Sequence, residues 1–214
     1  MKSVLSAVSA SLCVAAAANA GVYSDAAFDL FDNGFDNLDI SSVSVSDDGV
    51  NLSISVTTRG FQNWTKYMMY FDTAAAGGTT SNGWNRPVNL TSSIEYYVGS
   101  WVDAPSDNAQ FWAYAGSWNQ SATLSNSVSG NTVSFVISLA SMGLSAGQTF
   151  YFDVATSGGG NDPGVDHLSR SDAATPGWGT ASTSGNFLSY TVTPAPGAVA
   201  LLGVAGLVGA RRRR

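Results

Sequence analysis

Cysteine, histidine and glutamate are nearly absent from this sequence of 214 residues, which contains one of each. The only cysteine, Cys13, lies in a leader segment that the mature protein is expected to lose. The mature chain therefore has no thiol, which excludes disulfides, thiolate metal sites and cysteine nucleophiles. A serine triad would need a serine beside the single histidine, His167, in a strained elbow such as G-x-S-x-G. We predict no such elbow beside His167, so a serine triad is not expected.

Basic residues are scarce outside the two ends of the chain. All 15 acidic side chains lie between residues 21 and 193, together with only four basic ones, Arg59, Lys66, Arg86 and Arg170. An acidic surface of this kind repels phosphate backbones, which excludes nucleic-acid binding. Charged residues make up 11% of the chain and aromatic residues another 11%, which is unlike a disordered composition, so we expect one packed domain.

The first twenty residues have the three parts of a secretory signal peptide. A basic start at Lys2 is followed by an apolar stretch over residues 4–17, and the small residues Ala18 and Ala20 stand at positions −3 and −1. We therefore expect signal peptidase to cut after residue 20. A transmembrane anchor is the alternative, but the apolar stretch is shorter than the ~20 residues that a membrane span needs.

The last twenty-one residues, 194–214, combine a proline motif, an apolar stretch and a basic end. Pro194 and Pro196 precede apolar and glycine residues at 197–210, which would form a helix of ~21 Å, shorter than a ~30 Å hydrocarbon core. The chain ends in a basic cluster, which consists of Arg211, Arg212, Arg213 and Arg214.

This order resembles the PEP-CTERM sorting tail of exported Gram-negative proteins, although Ala195 stands where the usual glutamate would be. The resemblance implies a transmembrane helix that anchors the protein transiently in the inner membrane. It also implies cleavage near the proline motif by an exosortase-like protease. The alternative is a simple C-terminal membrane anchor, with the arginines on the cytoplasmic side. Both interpretations place residues 21–193 outside the cytoplasmic membrane, at the cell surface or in the extracellular space.

Between these ends the chain has the period-two alternation of β-strands. Apolar and polar residues alternate over residues 50–56, 133–139 and 150–154, while residues 66–71 are apolar on both faces, as in a central strand. About nine such segments, residues 122–128 among them, are separated by turns rich in Gly, Asn and Ser or, at residues 47–49, by an Asp-Asp-Gly turn. We therefore predict an all-β domain over residues 21–193, an antiparallel, jelly-roll-like β-sandwich. A closed barrel is the main alternative.

Three segments of this domain carry a second resemblance. DISSVSVSDDGVNLSISV (residues 39–56), KYMMYFDT (66–73) and VSGNTVSFVISLASMGLSAGQTFYFDVATS (128–157) resemble DOMON and family 9 carbohydrate-binding-module β-sandwiches. The resemblance implies this sandwich fold and a carbohydrate ligand. DOMON relatives that bind haem use a histidine or methionine ligand, for which His167, Met68 and Met69 exist, but the methionines are expected in the core.

Aromatic residues are the strongest candidates for a binding site, because six tryptophans are more than a core of this size needs. Indole faces stack on the C–H faces of sugar rings, and neighbouring polar groups bind the hydroxyls. The alternative is that these rings are packing residues, which is expected of Trp112 and Tyr114. The predicted ligand-binding residues are Trp84, Arg86, Tyr97, Trp101 and Trp118. Arg86 could instead pair with Glu95 or Asp72.

Oxygen ligands for Ca²⁺ are concentrated in the loop around His167. Asp162 and Asp166, with nearby carbonyl groups, are the candidate metal ligands. The alternative is a solvated turn without an ion. A second acidic stretch, residues 32–39, is a weaker candidate for a calcium loop.

The sequence therefore leads to one interpretation and two alternatives. We expect an exported, non-enzymatic surface or matrix protein that binds a polysaccharide or another surface glycan. The first alternative is a structural or adhesive matrix protein without a discrete ligand site. The second is a divergent glycoside hydrolase, which would need two carboxyl groups across a cleft and has in Glu95 its only glutamate.

Overall fold

The computed structural model describes residues 20–103 and 108–193, which form two antiparallel sheets packed as a sandwich. The predicted antiparallel β-sandwich is therefore confirmed. The predicted signal peptide, except Ala20, and the predicted sorting tail with its helix, prolines and arginines lie outside the described residues. Within the described residues, no helix is long and apolar enough to cross a membrane.

Fourteen strands occur in the described residues. In chain order they are β1 (Gly21–Ser24), β2 (Ile40–Asp47), β3 (Asn51–Thr58), β4 (Lys66–Asp72), β5 (Val88–Asn89), β6 (Tyr96–Trp101), β7 (Ala109–Tyr114), β8 (Trp118–Leu124), β9 (Asn126–Ser129), β10 (Thr132–Ser138), β11 (Thr149–Ser157), β12 (Asp166–His167), β13 (Ser182–Thr183) and β14 (Leu188–Thr191). A short 3₁₀-helix, Leu139–Met142, follows β10.

This count exceeds the nine predicted strands for two physical reasons. The strands β5, β12 and β13 have two residues each, and β1 has four, so none of them is long enough to show an alternating pattern. The segment predicted as one strand over residues 122–128 is divided between β8 and β9, which belong to different sheets. Alternation in sequence cannot reveal where a chain crosses from one sheet to the other.

The first sheet has the order β1-β2-β3-β10-β9, and the second has the order β12-β11-β4-β6-β7-β8, with β14 also pairing with β11. The hairpin between β2 and β3 turns at Gly49, whose φ of 82° is in the left-handed region that favours glycine. Asp48 accepts hydrogen bonds from the backbone N–H groups of Val50 and Asn51, which closes this turn as the Asp-Asp-Gly sequence predicts.

The main core lies between the sheets and consists of every second side chain of the long strands. In the first sheet β3 contributes Leu52, Ile54 and Val56, and in the second sheet β11 contributes Phe150, Phe152 and Val154, all fully buried. Burial of such side chains is worth roughly 1.5–3 kcal/mol each, which makes this layer the main source of stability.

A second apolar layer covers the outer face of the second sheet. Tyr70 and Tyr97 point away from the main core, and loops 73–95 and 158–187 pack over them. These two loops are joined by a small parallel sheet, β5 with β13. The fully or largely buried members of this second cluster are Met68, Tyr70, Val88, Leu90, Ile94, Tyr97 and Ala155.

A third cluster joins the N-terminal segment to the loop that follows β11. Leu30, Leu38 and Val165 form its buried centre. The Trp178 ring meets Phe31 and Phe35 edge-on, at centroid distances of 5.3 Å for both pairs. This packing brings residues 25–39 beside β12, although more than a hundred residues separate them in sequence.

Asp47, at the end of β2, fixes the last described residues of the chain. Its carboxylate accepts hydrogen bonds from the Tyr190 hydroxyl (2.7 Å), from the Thr193 backbone (3.0 Å) and from the Thr193 hydroxyl (2.9 Å). Burial alone would raise the pKa of Asp47, but these hydrogen bonds outweigh it and lower the pKa below its ordinary value of 3.8.

We expect Asp47→Asn to lower the free energy of unfolding at neutral pH by about 1–3 kcal/mol, because the buried Tyr190 hydroxyl and the two part-buried donors of Thr193 lose a charged acceptor. A carboxylate with a lowered pKa stabilises the fold above its unfolded pKa, and this contribution disappears as pH falls through its folded pKa. The difference between wild type and variant should therefore shrink below pH 3.8. Urea denaturation across this range measures it, with exposed Asp32→Asn as the control. A difference independent of pH would contradict this account.

Candidate functional site

The predicted binding residues share the outer face of the second sheet. Alternation along β6 places Tyr97 and Trp101 opposite to Val98, which faces the main core. On β7, Trp112 pairs with Tyr97, and Tyr114 pairs with Trp118 of β8. We call the half-buried rings on this side, contributed by Trp84, Trp101, Trp112, Tyr114 and Trp118, the aromatic face.

Trp84 reaches this face from the loop between β4 and β6. Its ring lies against Gly99 of β6, where a Cβ atom would overlap the indole, so only glycine allows this close approach. The Trp84 indole N–H donates to Gln110 Oε1 at 2.7 Å, and the Trp112 indole N–H donates to the same atom at 3.3 Å. The centroids of the Trp84 and Trp101 rings are 5.9 Å apart.

Arg86 lies at the rim of the aromatic face. Its guanidinium carbon is 5.5 Å from the Trp84 ring centroid, and its Nη1 donates to the carbonyl oxygens of Gly159 and Asp162, both at 3.2 Å. Burial lowers the pKa of Arg86. The suggested pairing with Glu95 or Asp72 is wrong, since the recorded partners of the Arg86 side chain are carbonyl groups of the loop after β11.

The predicted residues differ in what they can offer a ligand. Trp101 and Trp118 are half-buried, whereas Tyr97 is fully buried beneath the other rings. Trp118 also donates its indole N–H to the Ser81 hydroxyl at 3.0 Å. Trp112 and Tyr114 were expected in the core, but β7 points Phe111 inward and these two rings outward, where they stay half-buried. Trp112 therefore belongs to the candidate site, although it is not among the predicted ligand-binding residues.

Glu95, the acid that a hydrolase would need, is 6% exposed and serves as a hydrogen-bond acceptor. Its Oε2 atom accepts from the backbone N–H of Thr73 at 2.8 Å and from the Thr73 hydroxyl at 3.0 Å. These contacts fasten the first residues of the loop after β4. Glu95 is therefore accounted for as a loop anchor.

His167 is the centre of a buried hydrogen-bonded chain that the sequence did not predict. Its Nδ1 atom lies 2.7 Å from Asp153 Oδ2, and its Nε2 atom lies 3.2 Å from Ser182 Oγ. The order Asp–His–Ser is that of a hydrolase triad. All three residues are 0% exposed, and the Tyr70 ring stacks on the imidazole at 6.1 Å, so a substrate has no access to the serine. These hydrogen bonds instead connect β11, β12 and β13.

A G-x-S-x-G pentapeptide occurs elsewhere, at residues 143–147. The turn after the 3₁₀-helix holds Ser145, whose hydroxyl donates to Gln148 Oε1 at 2.8 Å. It is not a strand-to-helix elbow and does not contact His167, so it lacks the context of a nucleophile. With both His167 nitrogens bound to protein groups and Met68 and Met69 fully buried, haem ligation would require this region to unfold.

We expect Ser182 of the folded protein to remain unmodified by a fluorophosphonate probe, because a buried hydroxyl cannot be reached by the phosphorus atom. Intact-mass and peptide mass spectrometry measure this, with a serine hydrolase as the positive control. Ser182→Ala should cost about 1 kcal/mol of stability, from the loss of one hydrogen bond. Labelling of Ser182 in the folded protein would contradict the structural role.

Carboxylates from the N-terminal segment and from β12 lie close together beside the third cluster. One oxygen of Asp25, one of Asp29 and one of Asp166 all lie within 4.8 Å of one another. We call these three residues the acidic group. Asp166 is 3% exposed, and its oxygens accept hydrogen bonds from the backbone N–H groups of Ile40 (2.6 Å) and His167 (2.8 Å).

Asp39 adds a fourth carboxylate next to this group. It is 1% exposed, and its Oδ2 atom accepts from the backbone N–H of Phe28 at 2.9 Å and lies 3.5 Å from Arg59 Nε. Phe28 has a φ of 63°, and the Arg59 guanidinium lies 3.8 Å above its ring. These contacts hold the segment between Asp25 and Asp29 in a sharply turned conformation.

Burial and mutual repulsion disfavour charge on these carboxyl groups. Burial raises the pKa of Asp25 to about 8, against a smaller opposing effect of the Ala26 backbone, and the charges of Asp29 and Asp39 raise it further. Burial likewise raises the pKa of Asp29, of Asp39 and, well above its ordinary value, of Asp166. Like charges in a poorly solvated site have this effect when no cation is close.

The two predicted metal ligands are thus in different places. Asp166 belongs to the acidic group, whereas Asp162 lies in the loop that Arg86 contacts. Of the acidic stretch over residues 32–39, Asp39 alone lies beside the group, while Asp32 and Asp36 are exposed. Sequence reasoning missed Asp25 and Asp29, because their relation to Asp166 arises only when the N-terminal segment packs beside β12.

An open groove with a volume of about 510 Å³ leads to this region. Asp25 lies in its wall, together with Ser169, Arg170 and Asp172. Arg170 donates to Asp172 Oδ1 at 2.7 Å and to the Thr183 carbonyl at 3.3 Å, and no ion pair between Arg170 and Asp25 is recorded among the described residues. Small ions can therefore approach Asp25 from solvent.

No protein-family model matches this chain, and no curated protein matches it either. The chemistry of the residues themselves is therefore the basis for assigning a function. The aromatic face can stack against a flat apolar ligand surface, whereas the acidic group can bind a cation. These sites use different elements and different side chains.

Proposed function

We propose that this protein is an exported, non-enzymatic β-sandwich that binds a polysaccharide or another surface glycan on its aromatic face. The observation that carries the proposal is the row of half-buried rings of Trp101, Trp112, Tyr114 and Trp118 on one side of β6, β7 and β8. The jelly-roll topology and the likeness to DOMON and family 9 carbohydrate-binding modules belong to the same proposal.

The chemistry of this face suits a sugar. Aromatic rings offer apolar area to the C–H groups of a pyranose, and polar side chains between them can bind its hydroxyls. Gln120 and Thr123, which pair with Trp112 and Gln110, are exposed on the same side. Two indole N–H groups donate to the Oε1 atom of Gln110 and so fix the orientation of its amide. The Nε2 group of this amide could then donate to a sugar hydroxyl.

Access also favours this face. The strand β8 is the edge of the second sheet, and its residues from Asn119 to Thr123 are exposed. A long polysaccharide could therefore reach the half-buried rings from the β8 edge, beside the loop that carries Ser81 and Trp84. Arg86, fixed at the rim beside Trp84, would supply a positive charge for an acidic sugar.

The end segments support a location at the cell surface or in the matrix. The signal peptide would send the chain to signal peptidase and across the inner membrane. The tail resembling PEP-CTERM would hold it there until an exosortase-like protease cuts near Pro194 and Pro196. Its domains are then a signal peptide (1–20), the sandwich (21–193) and the sorting tail (194–214).

A structural or adhesive matrix protein is the competing function, and one observation favours it. Trp84, Trp112 and Trp118 donate their indole N–H groups within the protein, and Trp84 packs against Gly99. These contacts are those of packing residues. Binding measurements on Trp101 distinguish the two functions, since no hydrogen bond of its indole is recorded among the described residues.

We expect Trp101→Ala to weaken binding of the best polysaccharide on a glycan array by about tenfold or more, which corresponds to roughly 1.4 kcal/mol. The loss of one stacked ring is the reason. Affinity electrophoresis or calorimetry measures the change. Tyr151→Ala is the matched control, because Tyr151 is 44% exposed on the same sheet but lies on β11, away from the aromatic face. Absence of saturable binding to any polysaccharide would favour the structural alternative.

We expect the protein recovered from the medium or the cell surface to lack the arginine cluster, because cleavage near Pro194 removes everything after it. Mass spectrometry of both termini measures this and should also find Gly21 as the first residue. A strain without its exosortase is the control. Mature protein that still ends in Arg214 would contradict processing by an exosortase.

A further inference from the structure

The acidic group has more negative charge than the neighbouring side chains compensate. Asp25, Asp29 and Asp166 each have one oxygen within 4.8 Å of the others, and the charge of Asp39 acts on all three. Arg59, which contacts Asp39, is the only cation among the ion pairs recorded for these four residues. Full ionisation of the four carboxylates would thus leave about three negative charges uncompensated. Charges in a poorly solvated site are costly unless they are paired or coordinate a metal.

Four oxygens of these carboxyl groups lack the partners that buried carboxylates normally have. Asp25 Oδ2, both oxygens of Asp29 and Asp39 Oδ1 are shielded from solvent and accept no hydrogen bond from the described residues. Asp39 is 1% exposed, and its charge acts on each member of the acidic group. Most buried polar atoms have a partner, so the three such oxygens of the acidic group, with a fourth on the interacting Asp39, call for a ligand.

We propose that Asp25, Asp29 and Asp166 bind one Ca²⁺ ion, with Asp39 as the fourth carboxylate beside it. The donors are all carboxylate oxygens, which hard divalent cations prefer. Ca²⁺–oxygen distances are about 2.3–2.6 Å, so opposite ligands lie about 4.6–5.2 Å apart. The limit of 4.8 Å on the separations in the acidic group is compatible with one ion between the three oxygens.

Such an ion would add a further link between parts of the chain that the third cluster already joins. Asp25 and Asp29 flank the turn at Phe28, whereas Asp166 begins β12 and anchors Ile40 of β2. The ion would therefore fasten the N-terminal segment to both sheets, and the groove beside Asp25 would admit it. This site is separate from the aromatic face, and the proposal does not depend on glycan binding.

Calcium titration of the purified full chain, after removal of divalent ions with EDTA, tests the proposal. We expect one Ca²⁺ per chain by calorimetry, and a rise in melting temperature on the order of 5 °C at a hundredfold excess over the dissociation constant. Mg²⁺ should bind at least about tenfold more weakly, because it requires a tighter octahedral set of ligands.

Asp29→Asn distinguishes a cation site from a set of protonated carboxyl groups. The variant keeps the size of the side chain and removes one charge, so in EDTA it should melt at the same or a higher temperature than wild type. Its calcium affinity should fall about tenfold or more, and its calcium-dependent rise in melting temperature should largely disappear. Asp32→Asn, in the same loop but exposed, should retain both.

Three results would overturn the proposal. The first is the same melting temperature of wild type in calcium and in EDTA, without heat of binding. The second is an equal calcium response in wild type and Asp29→Asn, which would locate the ion elsewhere. The third is binding of Mg²⁺ as tight as that of Ca²⁺, which would contradict the assigned ion.

Discussion

Burial of every second side chain between two sheets is the constraint on which this structure depends. The fully buried side chains of β3 and β11, such as Ile54 and Phe152, are possible only if the intervening residues point the other way. In the first sheet those residues are mostly serine and threonine, which suit solvent. In the second sheet they include Tyr70, Tyr97 and Trp112, which do not. The second sheet therefore has to be covered on its outer face as well.

The covering of this outer face explains the two kinds of candidate site. Loops 73–95 and 158–187 bury part of the face and leave the rings on β6, β7 and β8 half-open, which produces the aromatic face. The same loops bring polar groups into poorly solvated surroundings. Both ring nitrogens of His167 have hydrogen-bond partners, Asp153 and Ser182, so this triad-like arrangement is a structural contact. Asp25 and Asp29 of the acidic group keep three buried oxygens without such partners, which is the observation behind the calcium proposal.

Much of the fold could be predicted, since the long strands have a pattern that depends only on neighbours in sequence. Residues 50–56 and 133–139 alternate because they lie on adjacent strands of one sheet, and the turn at Asp48 and Gly49 was also visible. The division of residues 122–128 between two sheets could not be predicted, because crossing from one sheet to the other leaves the alternation almost unchanged. The two-residue strands β5 and β13 depend entirely on the packing of distant loops.

The sequence by itself determined the class of protein: an acidic β-sandwich without cysteine over residues 21–193, rich in tryptophan and poor in catalytic side chains, with terminal segments that resemble export signals. Local pattern and composition are sufficient for those features. Only the tertiary structure decided that Trp112 lies outside the main core, that Asp166 belongs with Asp25 and Asp29 rather than with Asp162, and that His167 is enclosed. Side chains separated by over a hundred residues become neighbours through the packing of whole sheets and loops. A pattern that depends on neighbours in sequence cannot predict such contacts.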